Sequence, residues 1–133
     1  MPALIHDLLL SDGFSVFARL LLTSFFWIAG FFGVFKFGVM VQAIARENLP
    51  WPRFIVVLMI LTELIGSALL VSDFRGMGWL GAGALGVFTL LSIPLGHAFW
   101  KLQPPKKIEE FQIALEHLGI IGGLMCAAVL TVA

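Results

Sequence analysis

The sequence predicts an all-α integral membrane protein, a four-helix bundle of up-down-up-down topology. Three observations predict it. Of 133 residues, 60% are apolar and 12% charged, against about 25% charge in an average soluble domain. Mean hydropathy is +1.05. The apolar residues fall into four stretches of roughly 20 residues each, the length needed to cross about 30 Å of hydrocarbon. A soluble chain of this size leaves about a third of its unfolded surface in water and needs more polar residues to cover it. Lipid is the solvent this composition fits, and the four stretches use most of the chain, so residues 1–133 read as a single transmembrane domain.

The opening segment, MPALIHDLLLSDG, sets Leu4, Ile5, Leu8 and Leu9 on one side of a short helix suited to the bilayer interface. It carries Asp7 and Asp12 and lacks a basic start, unlike a secretory signal, so the first span is expected to be retained. Span one covers 14–39 and holds 16 uncharged residues between Arg19 and Lys36. NLPWPRF then links to span two, 54–72, with Pro52 suited to a first helical turn and Trp51 to the headgroup layer. SDFRGMG is a tight link to span three, 76–100, which has no Asp, Glu, Lys or Arg. Trp100 and the double proline of KLQPPKK close that span, Trp79 marks the opposite interface, and span four covers 111–133.

Basic residues orient the bundle. Lys36, Arg46, Arg53, Lys101, Lys106 and Lys107 fall on one side, and only Arg19 and Arg75 on the other. In a bacterial inner membrane this bias places both termini in the periplasm. Eight basic and eight acidic residues cancel, which gives no support to nucleic-acid binding. Cys126 is the single cysteine, so neither an internal disulfide nor a dithiol shuttle is encoded. There is also no CxxCH, HExxH, P-loop or dinucleotide fingerprint. The chain is not expected to be an enzyme by itself.

At 100° per residue, each intramembrane polar residue shares a helical face with small residues, which favour close helix contact in lipid. Arg19 lies with Thr23, Gly30 and Gly33; Glu63 with Gly66 and Ser67; His97 with Gly83 and Gly86; Glu116 with Gly119, Gly123 and Ala127. These polar groups are therefore expected to point into the bundle. His117 lies about 80° off the Glu116 stripe. Glu63 falls about 15 Å inside the level of Arg53, near the midplane. Arg19 lies about 10 Å from it along the bundle, just within reach of two extended side chains. Each residue also has a plain structural reading: Glu63 as a packing lock, Arg19 as an anchor to headgroups, His97 as a residue of the span end. His97 and His117 are the weak candidates for a metal.

Taken together, RLLLTSFFWIAGFFGVFK, NLPWPRF, TELIGSALL, GHAFW and LEHLGIIGGLM, in this order, resemble the DoxX family of small bacterial membrane proteins. Arg19, Glu63, His97 and Trp100 match the family pattern. Glu116-His117 stands where relatives often carry Lys-Asn. The resemblance implies a four-helix bundle and a link to quinone-coupled redox chemistry. Two function classes follow. One is an accessory or structural subunit of a membrane complex or homo-oligomer, with the bilayer and other membrane subunits as partners. The other is an oxidoreductase component binding a quinone, with haem as the less favoured cofactor. In it Glu63 handles protons and His97 or Lys36 bonds a quinone carbonyl, within a candidate ligand set of Arg19, Lys36, Glu63, His97, Trp100 and Glu116.

Overall fold

The structure, a computed structural model, describes residues 1–133. Six helices follow one another: α1 (Ala3–Leu9), α2 (Asp12–Phe35), α3 (Phe37–Arg46), α4 (Pro52–Ser72), α5 (Gly78–Gly96) and α6 (Lys106–Val132). Four of them, α2, α4, α5 and α6, are long and apolar enough to cross a membrane. The protein is thus an integral membrane helical bundle without strands.

Local chemistry sets the boundaries. Ser11 starts α2 by accepting the Phe14 N–H at 3.3 Å on its hydroxyl, and Asp12 lies in the first turn, where a negative charge suits the helix dipole. Pro52 opens α4 behind Trp51, which adopts a left-handed conformation at φ 49°. Asp73 ends α4 in the same left-handed region, and its carboxylate accepts the Gly78 N–H at 2.8 Å, capping the start of α5. The first apolar stretch differs from expectation at its end. Its helix breaks at Lys36, whose backbone (φ −119°, ψ 37°) is non-helical, and residues from Phe37 form a separate helix.

Contacts between specific residues establish the alternating directions. Gly33 meets Ile60 and Gly30 meets Leu64, so α2 and α4 run antiparallel. Gly66 faces Leu85 and Gly81 across the α4–α5 seam, and Gly78 at the start of α5 meets Thr131 at the end of α6. One end of the bundle therefore holds α1, Arg19, Asp73 and the close of α6, and the other holds α3, His97 and the start of α6. The core is Phe26, Leu70, Ala82, Leu85, Leu124 and Ala127, with Leu22, Phe88, Ile120 and Ala128 packed around it. Only 18 of 133 residues are buried. The outward Phe, Leu, Ile and Val side chains are what lipid contacts require.

The small-residue faces hold on two spans and shift on two. Thr23, Gly30 and Gly33 on α2, and Glu63, Gly66 and Ser67 on α4, are buried as expected. On α5 the buried positions are Gly78, Gly81, Ala82, Leu85 and Thr89, while Gly83 and Gly86 face open space. On α6 the inward residues are Ala114, His117, Leu124 and Ala127, and Glu116 is exposed. The expectation that Glu116 points inward is corrected by one residue of rotation. The α5–α6 seam is filled by Leu85, Leu124 and Ala127, and a Cβ at Gly119 would meet nothing within 4 Å. Gly123 does approach Leu22 of α2.

Candidate functional site

α5 carries Pro94, which has no N–H to continue the helical ladder, and the helix ends two residues later at Gly96. His97 follows in a non-helical conformation (φ −127°, ψ 44°), so the helical phase of Gly83 and Gly86 does not govern its side chain. That release lets His97 turn toward α6. Its Nδ1 donates to Glu110 Oε2 at 2.7 Å, and its ring meets that of His117 edge to face, with centroids 4.9 Å apart. His117 is 7% exposed, donates from Nδ1 to the Ile113 carbonyl at 2.8 Å, and packs edge to face on Phe25. With Nδ1 of both rings engaged as donors, Nε2 is the remaining nitrogen of each. No group of three His, Cys, Asp or Glu side chains is arranged to hold a metal ion.

His97 also closes one end of a cleft of about 270 Å³ between α3, α4 and α5. Its walls are apolar, with Ile44, Leu58, Met59, Phe88, Leu91 and Leu95 among them. Leu58, Leu91 and Leu95 are each about half exposed, so the cleft opens onto the lipid-facing surface. Glu47 shares the His97 end, and Thr62 and Ser92 supply hydroxyls. Ser92 donates to the Thr89 carbonyl at 2.7 Å, whereas the Thr62 hydroxyl has no hydrogen-bond partner within the protein. An apolar slot with few polar groups, concentrated at one end, is the usual form of a small-molecule site.

The other residues singled out from the sequence lie elsewhere. Glu63 is 5% exposed on the α2-facing side of α4, where its Cβ approaches Gly30, and it makes no hydrogen bond or ion pair. It does not line the cleft, although its neighbour Thr62 does. Arg19 does not meet Glu63. Its Nη1 donates to the Leu70 carbonyl at 3.4 Å, and Leu70 lies two turns from Glu63 along α4, about 10 Å away. Lys36 is exposed at the break between α2 and α3. Trp100 is half exposed and packs edge to face on Phe99. Glu110, which sequence reasoning missed, is the direct partner of His97. The available signal was its seven-residue spacing from His117, which sets the two on one helical face.

Fold and site together define a multi-pass helical membrane protein with a lateral apolar cleft ending at a hydrogen-bonded histidine. The family model for DoxX matches residues 14–98, about two-thirds of the chain, and the protein belongs to that family. No curated protein and no solved structure matches it. The matched region includes the whole cleft and His97 but stops short of α6, so Glu110 and His117 come from outside it.

Proposed function

We propose that this DoxX protein is a small accessory subunit of a bacterial inner-membrane complex, and that it holds a quinone headgroup in the cleft beneath His97 for a partner oxidoreductase. The observation that carries the reading is the lipid-facing apolar cleft closed by a histidine whose Nδ1 is bound to a carboxylate. A volume of about 270 Å³ suits a single substituted ring rather than a tetrapyrrole, with an isoprenoid tail left in the surrounding lipid.

A bound quinone supplies oxygens whose reduction and oxidation are coupled to protons. His97 is the residue positioned to exchange one. With Nδ1 bonded to Glu110, Nε2 is the nitrogen left to accept a hydroxyl proton. When Nε2 takes that proton, the Glu110 carboxylate already lies 2.7 Å from the resulting imidazolium. Glu110 also fixes the tautomer and ring orientation, as carboxylates behind functional histidines commonly do. Leu58, Leu91 and Leu95 give the ring apolar contact and exclude water from its sides.

The test is titration of full-length protein in detergent with a short-tailed quinone. Saturable binding is expected, weakened at least tenfold in His97→Phe and less in Glu110→Gln. Absence of binding to the parent protein, or equal binding by a folded His97→Phe variant, would defeat the reading. Native purification that reports co-purifying proteins tests the accessory role, and recovery of the chain with no oxidoreductase counts against it.

A further inference from the structure

A second cavity, of about 390 Å³, lies at the opposite end of the bundle, where the α1–α2 corner meets the last turns of α6. Leu10, Ser15, Arg19 and Leu22 line one side, and Ala127 and Leu130 the other. Arg19 is only partly buried, and of its five N–H donors one makes a single long bond, to the Leu70 carbonyl. No carboxylate lies within ion-pair distance of it, although Asp12 stands at the cavity rim. A guanidinium remains charged in any protein environment, so its placement inside a membrane calls for an anion. Ser15, one turn nearer the helix start on the same face, has a side-chain hydroxyl with no hydrogen-bond partner within the protein.

We propose that this cavity seats one anionic phospholipid of the leaflet at the α1 end, with its phosphate on Arg19 and Ser15 and an acyl chain along Ala127, Gly123 and Leu22. Depth supports that occupant. The 24 residues of α2 span about 36 Å against a hydrocarbon core of about 30 Å, which puts the Arg19 backbone about 7 Å below the boundary. Turned from the Leu70 carbonyl, an extended arginine covers that distance to the boundary, where the headgroup region begins. Charge and apolarity are also ordered correctly, with the cation and hydroxyl toward the headgroups and the Leu22–Gly123 wall toward the bilayer interior. Fork-like donors match a phosphodiester in two bonds.

Delipidated full-length protein in detergent is offered phosphatidylglycerol, phosphatidylcholine or inorganic phosphate, and retained ligand is counted by native mass spectrometry. One phosphatidylglycerol per chain is expected, retained at least tenfold better than phosphatidylcholine, with no retention of inorganic phosphate. Arg19→Gln is expected to lose it tenfold or more. Cys126→Trp, which adds bulk to the α6 wall of the cavity while leaving the guanidinium intact, is expected to lose it as well. Undiminished phosphatidylglycerol on a helical Arg19→Gln protein overturns the proposal. If Arg19→Gln does not fold, undiminished retention by Cys126→Trp does so, and so does equal retention of phosphatidylcholine or of inorganic phosphate.

Discussion

Glu63 is buried in the middle of α4 with no hydrogen bond to its carboxyl, and Ser67, one turn away on the same face, has a buried hydroxyl that is also unpartnered. A packing lock needs partners, and this carboxyl has none, so the structure gives no support to Glu63 as a bond that holds α4 to α2. Burying a polar group without a partner costs about 1–3 kcal/mol. Replacing it with an apolar side chain of similar size removes that cost. Glu63→Leu is therefore expected to raise the melting temperature in detergent, with a gain of about 1 kcal/mol or more, and Glu63→Gln to leave it nearly unchanged. A large loss of stability in Glu63→Leu would show that the carboxyl is bonded after all. The burial of Glu63 was legible in the sequence because Gly66 and Ser67 share its helical face. Its lack of a partner was not, because that depends on what α2 presents opposite it, and Gly30 presents no side chain.

Along the helices, glycines of similar appearance in the sequence carry unequal roles. A Cβ at Gly81 would lie 2.5 Å from the Gly66 carbonyl oxygen and 2.8 Å from the Leu70 nitrogen, both backbone atoms of α4 that cannot swing aside. A Cβ at Gly83 would meet nothing within 4 Å. Gly81→Ala is expected to cost about 1–3 kcal/mol through overpacking. Gly83→Ala should be neutral or gain up to about 1 kcal/mol from helix propensity. Thermal unfolding of the two variants in the same detergent checks the order, and equal melting temperatures would contradict the close α4–α5 approach. The small-residue stripe identified the right kind of residue for close packing in lipid. It chose the wrong members on α5 because glycine content marks permission for close approach, while the facing helix determines where the approach occurs.

For the molecule as a whole, the distribution of basic residues gives the proposed orientation a direct test. The end built from α3, His97 and the start of α6 carries Lys36, Arg46, Arg53, Lys101, Lys106 and Lys107, and the opposite end carries Arg19 and Arg75. Positive residues are retained on the cytoplasmic side. In a Cys126→Ala background, a cysteine at Arg75 is expected to react with a membrane-impermeant thiol reagent added to intact bacteria. One at Glu109 is expected to react only after the membrane is opened. The reverse pattern would invert the bundle. It would also exchange the sides on which the His97 cleft and the Arg19 cavity lie. Their separation to opposite ends follows from the antiparallel packing of α5 and α6, which brings Glu110 to His97 at one end and Thr131 to Gly78 at the other.

Solvent, span number and the polarity of the two ends were determined by the sequence alone, since hydropathy, length and charge count are local quantities that survive any rotation of the helices. The resemblance that named the family rests on the same local patterns, and the family match bears it out. Which residue of the Glu116–His117 pair faces inward was decided only by tertiary structure. The two differ by 100° about the helix axis, and the side chains of α2 and α5 packed against α6 select between them. The partnership of His97 with Glu110 was decided there too. It requires α5 to end at Gly96 and α6 to return beside it, and no periodicity within a single helix records how two helix ends meet.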